Sequence, residues 1–202
     1  MWISRETAED WFRYKGWKPS TSLIGWEKRN RYLLVKNGMA KILDDGGAHG
    51  RNAIYLASLG IYDVYLTDVN VYSLKMGKEK VLDKSKDKKK RIEIIQSDSK
   101  YHPFQNEVFD AIISHSLTHW LNNLEEVYQY LLDCYRILRP QGILFGMTFK
   151  EWRKVSEKFS RYPIFVNKET LKELIEKSGF DIVKIYEEVK GNKIAWFFEI
   201  KK

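Results

Sequence analysis

Asp44-Asp45-Gly46-Gly47-Ala48-His49-Gly50 is the densest run of potential chemistry in the chain. The buried-strand pattern of Ala40 to Asp44 leads into it, and a helical pattern from Arg51 to Leu59 follows. Glycines between a strand and a helix let the backbone turn tightly and come close to a ligand. The helix N-terminus adds amide donors for a negative or polar group. The residue types then sort the ligand classes. A dinucleotide site needs G-x-G-x-x-G, but from Gly46 the third glycine position holds Arg51, which would obstruct close helix–strand packing. A P-loop needs lysine then serine or threonine after its second glycine, and neither is present. Asp44 would meet a pyrophosphate as a like charge, and it suits a ligand carrying an ammonium group. Asp44, Gly46, Gly47, Ala48 and Gly50 are therefore the candidate binding residues of this turn, and His49 reads as a backbone-position residue within it.

A second concentration is Ser114-His115-Ser116-Leu117-Thr118-His119-Trp120. His115 and His119 are candidate bases or substrate contacts, because imidazole titrates near neutral pH; hydrogen-bonded structural histidines are the competing reading. The lone cysteine, Cys134, falls on the stripe Leu124, Val127, Leu131, Cys134 and Leu138 at helical spacing. That makes it a small core residue rather than a nucleophile, and one cysteine allows neither an intrachain disulfide nor a thiolate metal cluster. No metal site is expected.

The elements that must position these residues alternate between strand and helix. Tyr62–Thr67, Arg91–Gln96, Phe109–Ser114 and Ile143–Phe149 read as strands, and Val71–Leu82 reads as a helix. Asn123, with Glu126 at the third helical position, caps a helix that Pro140 stops; Arg136 and Arg139 suit the negative end of its dipole. Asn167 caps a last helix, ended by Gly179, and Phe180–Glu187 and Lys193–Ile200 close the chain as a strand pair joined near Gly191-Asn192. Strands separated by helices pair in parallel in a doubly wound sheet. The last two strands have no helix between them and should be antiparallel at one edge. Ahead of the sheet, two short helices near Arg5–Lys15 and Ile24–Lys36, with four of the seven tryptophans, form an N-terminal cap. The expectation is one α/β domain over 1–202, with the cap in 1–38 and the sheet in 39–202.

Bulk properties bound the function. An apolar fraction of 44% in 202 residues supports a buried core. The N-terminus carries charge where a signal peptide needs an apolar run, and no apolar stretch approaches the roughly 18–20 residues of a membrane span. A soluble, cytoplasmic protein without a membrane partner is expected. The net charge of +8, with the run Lys84 to Arg91, admits nucleic acid as a partner, although a solvated lysine-rich loop is the simpler account.

The run from Ile42 to Gly50 resembles motif I of class I S-adenosylmethionine-dependent methyltransferases, an acidic residue followed by G-x-G-x-G, with Ala48 at the middle glycine. Gly50 to Gly60 is similar to the family as well, especially to its tellurite-resistance and thiol-methyltransferase-like branch. Phe104, Phe109 and Asp110, the segment Arg136-Ile137-Leu138-Arg139-Pro140-Gln141-Gly142, and Lys172 to Ile185 follow in the family's order. The resemblance covers roughly residues 38 to 200. It implies a Rossmann-like doubly wound sheet, mostly parallel, and S-adenosyl-L-methionine as cofactor. It also implies ribose hydroxyls on Asp68, an apolar adenine floor at Val69, an adenine contact at Asp98 with Ser99 beside it, and His115 near the reactive end.

The transferred methyl of such a cofactor is already activated, so the protein needs mainly to orient and dry the reactants. A base is needed only where the acceptor must lose a proton. The N-P-P-Y signature of amino-group methylation on nucleobases is missing after the fourth strand, and Cys134 is misplaced for attack on a pyrimidine. A small-molecule acceptor is the leading expectation. An RNA methyltransferase and a non-catalytic S-adenosylmethionine-binding module are the alternatives.

Overall fold

The computed structural model describes residues 5–84, 92–152, 164–190 and 193–202. Among the described residues seven strands form a sheet in the order β3 (Ile92–Gln96), β2 (Tyr62–Asp68), β1 (Ala40–Asp45), β4 (Phe109–His115), β5 (Leu138–Trp152), β7 (Lys193–Lys201), β6 (Asp181–Lys190). Backbone packing divides the chain into two compact units: Met1–Ser99 with Phe109–Ala111, and Lys100–Val108 with Ile112–Lys202.

The first unit opens with α1 (Arg5–Lys15) and α2 (Thr21–Val35). It continues with β1 (Ala40–Asp45), α3 (Arg51–Ser58), β2 (Tyr62–Asp68), α4 (Val71–Lys84) and β3 (Ile92–Gln96), and it includes the start of β4 (Phe109–His115). β1 pairs with β2, and β2 with β3, both in parallel, as crossover helices require. Ile42, Leu43, Val64 and Leu66 are buried, the pattern of strands covered on both faces. The second N-terminal helix is fixed to this layer by a polar cluster. Glu27, wholly buried on α2, accepts two bonds from Arg31, at 2.6 and 2.8 Å, and one from the Tyr62 hydroxyl on β2 at 2.8 Å. Burial works against that charge, but the Arg31 and tyrosine bonds outweigh it and hold the Glu27 carboxyl below its ordinary range. α2 begins at Thr21, three residues before the expected start, because Ser20 is already extended and its amide is held by the Asn52 side chain at 3.0 Å.

The second unit holds the rest of β4, a 3-10 turn (Thr118–Trp120), α5 (Leu124–Ile137) and β5 (Leu138–Trp152). α6 (Lys168–Lys177), β6 (Asp181–Lys190) and β7 (Lys193–Lys201) complete it. The terminal strands are antiparallel, as the missing crossover helix demands, but β7 lies inside β6 and pairs with β5 as well. The α5 cap is Asn123, whose side chain accepts from the Glu126 amide at 2.9 Å; the Glu126 carboxylate reaches back to the Asn122 amide rather than to Asn123. Cys134 is buried on α5, in the core position its stripe indicates. Arg136 does more than face a helix dipole. It bonds Asp133, the His102 and Phe104 carbonyls and the Asn106 side chain, and so clamps the segment ahead of β4. β5 starts at Leu138, earlier than the expected Ile143, because Pro140 and Gly142 stay extended and Lys202 pairs with residues 141 and 142; Gln141 is left at a φ of +68°. The expected hairpin at Gly191-Asn192 and residues 85–91 of the basic run lie outside the described residues. Among the described residues no helix is long and apolar enough to cross a membrane.

Candidate active site

Residues 46–50 carry the chain from β1 into α3. Gly46, Ala48 and Gly50 hold φ angles of 62°, 52° and 78°. An alanine in the left-handed region is strained by roughly 1–2 kcal/mol. Gly47 is needed for a different reason. A Cβ there would stand 2.5 Å from Leu66 Cδ1 and 2.6 Å from Asp44 Oδ2, so packing beneath the turn admits only hydrogen. Its amide is bonded to the Thr67 carbonyl at 3.1 Å, which ties the turn to β2.

Asp44 is turned inward. It is 1% exposed, and Oδ2 accepts from the Ala53 amide at 2.9 Å. The carboxylate thus satisfies one of the orphan donors at the start of α3, where Gly50 has no side chain to do so. Burial pushes its carboxyl up to about 7, against the Ala53 amide and the Arg51 guanidinium, which favour the ion. One oxygen of the carboxylate that the sequence offers to a ligand's ammonium group is thus taken up by the helix start.

Asp68, at the end of β2, faces the turn. Oδ2 accepts from the Ala48 amide and Oδ1 from the Asn70 amide, each at 2.8 Å. The side chain is half-buried, and burial raises its carboxyl to about 6 while the backbone amides hold it back. A carboxylate has about four acceptor sites, so vicinal hydroxyls can add to these amides. Val69, the next residue, is 39% exposed and apolar. Asp98 is exposed just beyond β3, and the buried Ser99 beside it donates to Asp45 Oδ1 at 3.1 Å. A turn with close backbone access, a carboxylate with acceptor capacity and an exposed apolar neighbour are the kinds of contact a ribosyl purine uses. All these residues belong to the first unit.

Three side chains at the start of α3 also hold the α1–α2 linker. His49 Nε2 lies 2.7 Å from the Gly16 carbonyl, Arg51 donates to the Lys18 carbonyl at 2.8 Å, and Asn52 accepts from the Ser20 amide. The His49 ring is edge-on to Phe12 and Trp17, with centroids 5.3 and 5.1 Å away. His49 is therefore an anchor for the N-terminal segment as well as a turn residue, a role without a local sequence signal.

The acceptor-side candidates fall in the second unit. His115, half-buried at the end of β4, contacts the rings of Phe145 and Phe197. His119 is 0% exposed and packs on Phe149 with centroids 4.5 Å apart. His119, the second candidate base, is thus a fully buried ring in this arrangement. The Asp45–Thr67 pair at 2.8 Å and the His102–Asp133 pair at 2.8 Å are polar groups to which sequence reading gave no role.

Comparison with known proteins decides the family. The model of the methyltransferase domain matches residues 43–146, from within β1 to within β5. The chain belongs to this methyltransferase family. It is also similar to the ubiquinone/menaquinone biosynthesis C-methyltransferase UbiE of Nitrosospira multiformis, 24% identical over 82% of this chain and 78% of that protein. Among solved structures, a S-adenosylmethionine-dependent methyltransferase of Methanosarcina mazei superposes with a TM-score of 0.74 at 16% identity, covering 85% of this chain and 96% of the other. Phosphoethanolamine N-methyltransferase 2 of Haemonchus contortus, solved with S-adenosyl-L-methionine, gives 0.73 at 18% identity over 100% of this chain and 58% of that one. The methyltransferase is S-adenosylmethionine-dependent, and the Rossmann-like, mostly parallel sheet is the family fold.

Proposed function

We propose that the chain transfers the methyl group of S-adenosylmethionine to a small organic acceptor in the cytoplasm, with the cofactor held by the turn at residues 46–50. One observation carries this reading. Asp68 is anchored by the Ala48 amide of the turn itself and stands beside exposed Val69. A ribose diol on Asp68 then brings the base over Val69 and toward Asp98 and Ser99, while the backbone from Gly46 to Gly50 takes the amino-acid end. Asp44 serves that end indirectly, by fixing the turn.

The cofactor supplies a methyl already activated on a sulfonium. The protein's work is orientation and exclusion of water. His115 is the group we assign to the acceptor side. It moves a proton only if the acceptor carries one that must leave. The small-molecule acceptor is supported by the UbiE relatives, whose names give quinone biosynthesis. The cytoplasmic setting is supported by the single, buried cysteine.

The test has two parts. S-adenosylhomocysteine should raise the melting temperature, increasingly with the logarithm of its concentration above Kd, and NAD should not. Methyl-labelled cofactor should then label a pool of small metabolites rather than RNA or protein. Stabilisation by NAD alone contradicts the cofactor assignment, and label appearing in RNA contradicts the acceptor class.

A further inference from the structure

Asp45 is a buried carboxylate that the reading above does not use. It ends β1 with 1% of its surface exposed. Its Oδ1 accepts from Thr67 Oγ1 at 2.8 Å and from Ser99 Oγ at 3.1 Å. Thr67 is its register partner on β2 and is followed directly by Asp68; Ser99 follows Asp98. One oxygen therefore joins the ends of three successive strand segments: the turn after β1, the ribose-side carboxylate after β2 and the base-side loop after β3. All three lie within the first unit. The loops are also joined through their backbones, Gly47 to Thr67 at 3.1 Å and Ser97 to Asp68 at 3.2 Å, but those bonds link neighbours only.

A charge held at such a place is expensive. Taking an ion from water costs several kcal/mol after relaxation, and Thr67 and Ser99 bring it neutral hydroxyls. An apolar side chain at the end of a buried strand would be the cheaper solution for the core. The carboxylate also works against its neighbours, since its charge raises both Asp44 and Asp68. A costly group that holds two loops bearing ligand contacts is better explained by what it positions than by stability.

We propose that Asp45 is a positioning and specificity-determining residue: by holding Thr67 and Ser99 together it sets the spacing between Asp68 and the Asp98–Ser99 loop, and so determines which purine the nucleoside ligand carries. This rests on the assignment of the S-adenosylmethionine site made above. Asp45 does not touch the reacting atoms. It acts through Ser99 on the loop that reads the base edge and through Thr67 on the strand that presents the ribose carboxylate.

The experiment measures binding of S-adenosylhomocysteine and of S-inosylhomocysteine, which has a keto group in place of the purine amino group. The ligands are titrated calorimetrically into the full-length wild type and into Asp45→Leu, Asp45→Asn and Ser99→Ala. The wild type should prefer the adenosyl ligand. Asp45→Leu, which removes the acceptor for both hydroxyls, should reduce that preference by about five-fold or more, as expected for loss of a hydrogen bond that orients a loop. Ser99→Ala should reduce it too. Asp45→Asn keeps an acceptor oxygen and should retain most of the preference. A merely structural role would weaken both ligands equally and leave their ratio unchanged, and that result in Asp45→Leu overturns the inference. If Asp45→Leu does not fold, an unchanged ratio in Ser99→Ala overturns it. A wild type that binds neither ligand sinks the cofactor assignment itself, an outcome distinct from an unchanged ratio in a protein that binds.

Discussion

Asp44→Asn should make this protein more stable above neutral pH, by an amount that grows with pH in a defined window. The wild-type carboxyl is buried and accepts the Ala53 amide, and burial moves it from 3.8 to about 7. At about 1.4 kcal/mol per pH unit, that displacement corresponds to about 4 kcal/mol. The sign follows from proton binding. Between about pH 4 and about pH 7 the folded state holds a proton that the unfolded chain has lost, so wild-type stability falls as pH rises through this window and levels off above it. Asparagine keeps an oxygen for the Ala53 amide and has no proton to lose. The difference in favour of the variant should widen by about 4 kcal/mol from about pH 4 to about pH 7.5, or roughly 10 °C in melting temperature for a chain this size. Urea unfolding of both proteins at four pH values measures it, since groups common to both cancel in the difference. A difference that stays flat with pH would refute the claim that burial of this carboxylate, rather than its hydrogen bonds, dominates the site.

The other predictions concern neighbouring residues of the same turn. Ala48→Gly should relieve the strain at φ 52° and stabilise the protein by about 1 kcal/mol, with no loss of S-adenosylhomocysteine affinity, by paired denaturation and calorimetry. His49→Ala removes the Gly16 bond and the ring contacts to Phe12 and Trp17, so hydrogen exchange should quicken in α1 and the linker while β2 amides keep their protection. Asp68→Ala should weaken S-adenosylhomocysteine at least tenfold, because bonds to a charged acceptor contribute roughly 1.5–3 kcal/mol each. In the wild type the same affinity should fall as pH drops through about 6, where Asp68 takes up its proton, and Asp68→Ala should lose that dependence.

What the sequence made legible was whatever the local chain dictates. The period of the apolar residues gave β1 to β4 and α3 to α6 within a few residues, because burying one face of a helix or both faces of a strand leaves its mark at fixed spacing. The turn after β1 was readable because strand, glycines and helix must follow one another there. The order β5-β7-β6 was not, since two antiparallel strands satisfy the local pattern whichever of them is the edge. His49 and Gly16 are 33 residues apart, and Asp45 and Ser99 are 54 apart. Contacts at that distance depend on sheet order and register, which periodicity does not encode. Likewise His115 and His119 look equivalent in sequence, and only the packing of Phe149 against His119 separates a core ring from an accessible one.

The three carboxylates at the ends of β1 and β2 show how a binding turn departs from the rules of a core. Asp44 and Asp45 are each 1% exposed, and Asp45 raises the carboxyls of both Asp44 and Asp68. Local consistency would replace at least one of them with an apolar residue. Their partners explain why all three can stand. Asp44 takes the Ala53 amide that starts α3, Asp45 takes hydroxyls from β2 and from the loop after β3, and Asp68 takes the Ala48 and Asn70 amides. Each holds different groups, backbone amides for Asp44 and Asp68 and side-chain hydroxyls for Asp45, so no one of them can substitute for another. The negative charge that remains favours a ligand with cationic groups, and S-adenosylmethionine brings both a sulfonium and an ammonium. Its demethylated product has lost the sulfonium charge. The same cluster that opposes folding of the empty site therefore favours binding of the cofactor over its product, and removing a charge from it should narrow that preference while it stabilises the fold.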